Sequence, residues 1–160
     1  MKIFGSRKLT PRLARLAKIS LFSQLSPVEL GIVDGLLHQR EYLADEIVFD
    51  EGEEGQAIYI VQEGEVALGR QGQGEDGRIA TLGVGAFFGD MALLDNLPRT
   101  AQARVLKPAK LSVFFREDFL ALMDTHARIA SKIALQVARE MGRRIRQLQG
   151  SDTQVWRQHL

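Results

Sequence analysis

Hydrophobic and polar positions change rhythm twice along the chain. From about residue 9 to 37 the apolar residues recur at helical spacing. Leu9, Leu13, Leu16 and Ile19 fall along one side of a short amphipathic helix, and Leu30, Val33, Leu36 and Leu37 repeat the pattern in a second. Ser26-Pro27-Val28-Glu29 marks where the second begins: serine as N-cap, proline at the first helical position, glutamate at the third. From about 41 to 115 the rhythm shortens. EIVFD, AIYIVQ, EVALGR and RIATLG are β-rich runs separated by glycines, and ARVLKPAKLSVFFR continues them with Pro108 in a turn between two strands. Short strands at regular spacing with glycine turns predict an antiparallel sandwich or roll.

From about 117 to 149 the helical spacing returns. Ile129, Ile133, Val137, Met141, Ile145 and Leu148 form one stripe, with Ala130, Ala134 and Ala138 beside it. An apolar stripe must be covered. About 20 residues of helix extend roughly 30 Å, farther than the flank of a small roll. The same helix of a second copy is the natural cover, so a homodimer through this helix is expected. The alternative is a helix packed wholly on its own domain.

Composition narrows the class without naming it. The 160 residues are 45% hydrophobic and 26% charged, as in an ordinary globular domain, and 21 basic against 20 acidic residues leave a net charge of +1. So balanced a chain lacks a general electrostatic grip on nucleic acid or anionic membrane. There is no cysteine, which removes disulfides, thiol catalysis and cysteine-held metal. No apolar run approaches the ~20 residues of a membrane span, and the basic N-terminus has no continuous apolar region, so a cytoplasmic protein is expected. His38, His126 and His159 fall in segments read as helical or terminal rather than on strands, and no G-x-S-x-G elbow is present. The expectation is a binder, not an enzyme, without metal or cofactor.

The chemistry concentrates in GAFFGDMALLDNLPRTAQARV. Phe87-Phe88-Gly89 reads as a strand end and Asp90 to Leu94 as one helical turn, after which Pro98 stiffens the chain and Arg99 begins the next strand. A strand entering a helix start leaves backbone N–H groups without partners, and these favour an anion. Gly89 lets a ligand approach the backbone. Arg99 can offer two parallel N–H bonds to the same anion, which suits a singly charged phosphate. A triphosphate would call for a lysine-bearing P-loop, absent here. Asp90 accepts hydrogen bonds, and beside a phosphate its obvious partner is a sugar hydroxyl. Phosphate and hydroxyl together describe a nucleotide-like ligand.

With these residues in view, FGDMALLDNLPRTA resembles the phosphate-binding cassette of cyclic nucleotide-binding domains, known in catabolite-activator-type regulators, cyclic-nucleotide-dependent kinases and gated channels. The family pattern runs Phe-Gly-Glu, a small or apolar residue, Ala-Leu, a short loop, then Pro-Arg and two small residues. LFSQLSPVELGIVDGLL is similar to the family's helical lead-in, EIVFDEGEEGQAIYIVQEGEVALG to its first strands, and REDFLALM to the helix after the roll. The resemblance covers roughly residues 20 to 125 and extends towards 149. It implies a mainly β fold with flanking helices: an antiparallel β-roll or jelly-roll (double-stranded β-helix) with N-terminal helices and a long C-terminal helix. The divisions are 1–37 as lead-in, 38–116 as roll, 117–149 as capping and dimerisation helices, and 150–160 as tail. It implies cyclic AMP or cyclic GMP as ligand. Arg99, the Met91 and Ala92 N–H groups, Thr100 and Ala101 would hold the cyclic phosphate, and Asp90 and Gly89 would meet the ribose 2′-hydroxyl. The long helix would cap the base.

One position departs from the pattern. Asp90 is a methylene shorter than the family's glutamate, a loss in reach of ~1.5 Å. Losing the sugar contact would cost about 1–3 kcal/mol, a factor of roughly 5 to 150 in affinity. A tighter cassette, a bridging water or a different ligand are the ways round it. Thr100 is a second clue, since a threonine hydroxyl there can reach a guanine amino group; its plainer role is to open a strand. Plainer roles exist throughout: Asp90 as a charge at a helix start, Arg99 paired with Asp90 or a surface acid, and Arg139, Arg143, Arg144 and Arg146 as a solvated basic face. The reading is a regulatory domain in which bound nucleotide shifts the C-terminal helix, read out by a downstream protein, with contact to nucleic acid or membrane not expected. The alternative is a roll that binds no nucleotide and serves as a protein-interaction domain.

Overall fold

Thr10 and Ser26 start the two N-terminal helices. Thr10 Oγ1 accepts the Leu13 N–H ahead of α1 (Pro11–Ala17), and Ser26 and Glu29 close a reciprocal capping box on α2 (Pro27–Asp34). The computed structural model describes residues 8–151. His159 and the tail beyond residue 151 lie outside the described residues. Leu16 on α1 and Leu30 and Val33 on α2 are buried, with Leu13 of α1 packed beside them, as the helical spacing predicts. Ile19 and Leu37 are also buried, and Leu9 and Leu36 pack against the same core, although all four lie beyond the helix ends.

The strands form one six-stranded antiparallel sheet that curls into a roll: β1 (His38–Tyr42), β2 (Ile47–Phe49), β3 (Ala57–Gly69), β4 (Arg78–Leu82), β5 (Phe87–Phe88) and β6 (Gln102–Phe115). Its spine is the β3–β6 ribbon, paired from Ala57 opposite Phe115 to Gly69 opposite Gln102. Two expectations are corrected here. AIYIVQ and EVALGR belong to one strand, and Pro108 lies within β6 rather than in a turn. The ribbon bends instead of breaking. Gly64 has φ +87°, and a Cβ there would meet the Pro108 carbonyl oxygen at 2.3 Å. The register passes from Glu63 opposite Lys110 to Glu65 opposite Lys107, so Pro108 sits where the ladder skips and needs no N–H.

Arg99 does not begin a strand either, since β6 starts at Gln102. Its backbone pairs with the preceding loop: Gly52 N–H donates to Arg99 O at 2.8 Å and Arg99 N–H to Glu53 O at 2.7 Å. HQREY, which has no alternation, forms β1 along the far edge of β6. His38 therefore stands on a strand, 3.7 Å from Asp118, not in a helical segment.

Successive strand residues face two cores. Ala57, Tyr59, Val61, Phe88, Leu111 and Val113 fill the roll's interior. Ile58, Ile60, Phe87 and Phe114 face outward against the helices. After the roll come α3 (Arg116–Thr125) and the 25-residue α4 (Ala127–Ser151). Ile129, Ala130, Ile133 and Val137 on α4 are buried within the chain, whereas Ile145 further along is 53% exposed. Among the described residues no helix is long and apolar enough to cross a membrane.

Candidate functional site

The cleft begins where β5 ends. Gly89 follows Phe88 in the left-handed region at φ +75°, and a four-residue 3-10 turn, Asp90–Leu93, follows directly. This matches the strand-then-turn expectation. Glycine at 89 is also required by the protein's own packing. A Cβ at 89 would lie 2.5 Å from Arg99 Nη1, so the close approach to the backbone is made by the protein's own guanidinium.

Arg99 forms the floor. Its Nη2 donates to Ala57 O at 2.8 Å and its Nη1 to Gly89 O at 3.3 Å. The guanidinium carbon lies 4.0 Å from the Phe49 ring centre and 5.7 Å from that of Tyr59. Buried Nε has no hydrogen-bond partner. Among the described residues no carboxylate pairs with it, so the plainer reading of Arg99 as Asp90's partner is overturned. Burial pulls the Arg99 pKa down from its ordinary value, opposed by Tyr59 and Glu53, yet a guanidinium remains cationic at any ordinary pH. The floor is thus a fixed positive charge held by dipoles and aromatic faces, which leaves its full charge for an incoming anion.

Asp90 is 2% exposed and forms the rim. Its partner is Arg144 of α4, whose Nη1 lies 3.1 Å from Oδ1 and 3.3 Å from Oδ2. Glu140, one turn back on α4, holds the same arginine through Nε at 3.5 Å. Arg144 is therefore not simply part of a solvated basic face. In sequence, Arg144 reads as part of a basic helix face, and nothing local points across to residue 90.

The expected residues converge on one open cleft. Gly89, Asp90, Met91, Ala92, Arg99, Thr100 and Ala101 all line it, joined by Phe49, Leu68 and Arg144. One donor is already spent: Ala92 N–H donates to Gly89 O at 3.1 Å, closing the turn, while the Met91 N–H lies outside that bond. Sequence reasoning also missed Arg116, at the start of α3. Its Nη1 donates to Gly55 O at 3.0 Å, Asp95 O at 2.8 Å and, more weakly, Ala92 O at 3.4 Å. Among the described residues no group of three or more His, Asp or Glu could hold a metal ion.

A positive floor, a buried acid at the rim and a helix reaching in from outside the roll are the parts that comparison with other proteins can test. The chain is 37% identical over 122 residues to the cyclic AMP receptor protein of Thermus thermophilus, covering 76% of this chain and 56% of that one. It is 33% identical over 129 residues to a putative potassium channel protein of Rhodopseudomonas palustris, covering 81% of this chain and 31% of that one. The chain thus spans well under two thirds of either relative's length. The crystal structure of Thermus thermophilus catabolite activator protein superposes with a TM-score of 0.72 at 35% identity, covering 82% of this chain and 61% of that chain. The family model described as "Cyclic nucleotide-binding domain" matches residues 39–126, from β1 to the end of α3. That match takes in the roll and the whole cassette, so the chain belongs to the cyclic nucleotide-binding domain family.

Proposed function

We propose that the protein is a cytoplasmic sensor that binds cyclic AMP or cyclic GMP without transforming it. The observation that carries this reading is Arg99: a half-buried guanidinium with no carboxylate partner among the described residues, on the floor of the cleft. The cyclic phosphate sits over Arg99, against the Met91 N–H and the Ala92, Thr100 and Ala101 wall. The ribose 2′-hydroxyl meets Asp90, beside Gly89. The name of the Thermus thermophilus relative supports cyclic AMP, and Thr100 keeps cyclic GMP as the second candidate.

The output is a shift of α4. Arg144 holds Asp90 from that helix, so a hydroxyl arriving at Asp90 changes what α4 gains by lying against the cassette. A second copy covers the exposed part of α4 around Ile145, and a downstream protein reads the helix position.

Calorimetry and thermal shift with cyclic AMP and cyclic GMP test the reading. Wild type should be stabilised by about 2.7 kcal/mol at a ligand concentration 100 times the dissociation constant. Arg99→Ala should lose that response. Silence of wild type at millimolar concentrations of both nucleotides would sink the sensor. The second reading is a roll that binds no nucleotide and docks proteins. It is favoured by one observation: Arg144 already takes both oxygens of Asp90.

A further inference from the structure

We propose that Arg116 is the positioning residue of the cassette, fixing its distance from Arg99 and tying its ligand state to α3; for the ligand, this rests on the sensor reading above. The residue stands where helix chemistry disfavours it. It is the first residue of α3, and a cation at a helix start opposes the peptide dipole, while Glu117 and Asp118 behind it are the residues that suit that place. Some other contact must hold it there.

That contact is a cluster of backbone carbonyls. The side chain is only 19% exposed, and its Nη1, with two hydrogens, is shared among Gly55 O, Asp95 O and Ala92 O. Ala92 lies near the end of the 3-10 turn that begins with Asp90 and Asp95 just beyond it, where unpaired carbonyls attract a cation. Gly55 belongs to the loop whose Gly52 and Glu53 pair with the Arg99 backbone. A Cβ on Gly55 would lie 3.0 Å from Ala92 Cβ and 3.3 Å from Arg99 Cζ, so this loop is the spacer between cassette and floor. Arg116 fastens spacer to cassette. Its own N–H donates to Gln56 O at 2.8 Å, so backbone and side chain grip the same loop. Glu54 contributes little, since its carboxylate is 3.9 Å away and more than half exposed.

Because the clamp is also the start of α3, any shift of the cassette pulls on that helix. Phe119 and Leu122 carry the movement into the core shared with α4. This route is separate from the Asp90–Arg144 contact and enters the helices from the opposite end.

Amide hydrogen exchange on the full chain tests the clamp with and without cyclic AMP. In ligand-free Arg116→Ala, amides of residues 91–96 should exchange about 10-fold or more faster than in wild type, with the β3–β6 ladder unchanged. Arg116→Lys, keeping charge without the guanidinium's shape, should fall between the two. Unchanged exchange at 91–96, or equal acceleration throughout the roll, would overturn the proposal. Should Arg116→Ala not fold, the lysine variant decides by the same two readings. With cyclic AMP as probe, affinity should fall roughly 10- to 100-fold in Arg116→Ala. At saturation, ligand should still protect the cassette but no longer change exchange in α3. Wild type failing to bind cyclic AMP or cyclic GMP would end the sensor reading, while the ligand-free exchange would still decide the clamp. Normal affinity and normal change in α3 in Arg116→Ala would end the clamp and leave the sensor standing.

Discussion

The floor and the rim of the cleft are each built round an arginine, held in opposite ways. Arg99 rests on two backbone carbonyls and two aromatic rings, all supplied by the roll. Arg144 is held between two carboxylates, Asp90 across the gap between two elements and Glu140 on its own helix, with its side chain 46% exposed. The floor therefore forms as the roll folds. The rim exists only while α4 lies against the cassette. A site arranged this way can keep the positive charge of its floor constant while its link to the long helix is adjusted independently.

The largest expected effect breaks the floor. Gly89→Ala places a side chain in the left-handed region and drives its Cβ to 2.5 Å from Arg99 Nη1. Strain and displacement together should cost about 3 kcal/mol in urea unfolding. A loss of only about 1 kcal/mol, the cost of the backbone conformation alone, would show that Arg99 moves aside and that the floor is as adjustable as the rim.

The rim is tested next, by the cycle Arg144→Ala, Asp90→Asn and both. Arg144→Ala leaves a buried carboxylate unpaired, but its own solvent exposure limits the loss to about 2 kcal/mol. In the Asp90→Asn background the same substitution should cost little, giving a coupling of about 1–2 kcal/mol. A coupling near zero in urea melts would mean that the contact does not hold α4. The two readings of the protein also part here. In a sensor, Asp90→Asn lowers nucleotide affinity, whereas in a docking module there is no nucleotide affinity to change.

These two arginines also mark how far the sequence could be read. Arg99 was legible because its context is local: glycine, acid, turn, proline and arginine within eleven residues spell a cassette. Arg144 was not, because its partner is 54 positions away and its neighbours look like any basic helix face. Arg116 was hidden in the same way, since carbonyl acceptors have no side-chain signature. In the fold, the alternation of Ile58, Tyr59, Ile60 and Val61 between two cores was visible as a strand. The bend at Gly64 and Pro108 was misread as a turn, because glycine and proline punctuate both. Only the contact of Gly64 with the opposite strand distinguishes a bent ribbon from a hairpin.

The smallest expected effect sharpens the comparison from the other end of α4. If the rim depends on where α4 lies, something must seat the helix near its start, and Lys132 does so. Its Nζ is 2.7 Å from Glu29 Oε1, the same oxygen that accepts the Ser26 N–H in the capping box of α2. The Lys132 hydrogen bond is the largest cause holding the Glu29 pKa below its ordinary 4.5, followed by the Ser26 N–H. A carboxyl with a depressed folded pKa contributes stability that is fully present above its unfolded value and is lost as pH falls through the folded one. Wild type should therefore exceed Glu29→Gln by about 1 kcal/mol at pH 7, with the gap narrowing once the pH falls below the ordinary carboxylate range. Urea midpoints of the two proteins at neutral and acid pH measure it. A gap that stays constant into acid would assign the loss to the glutamine's poorer cap, leaving α4 seated by its apolar face alone. In that case the rim, not the Lys132 contact, would be the electrostatic control on the helix.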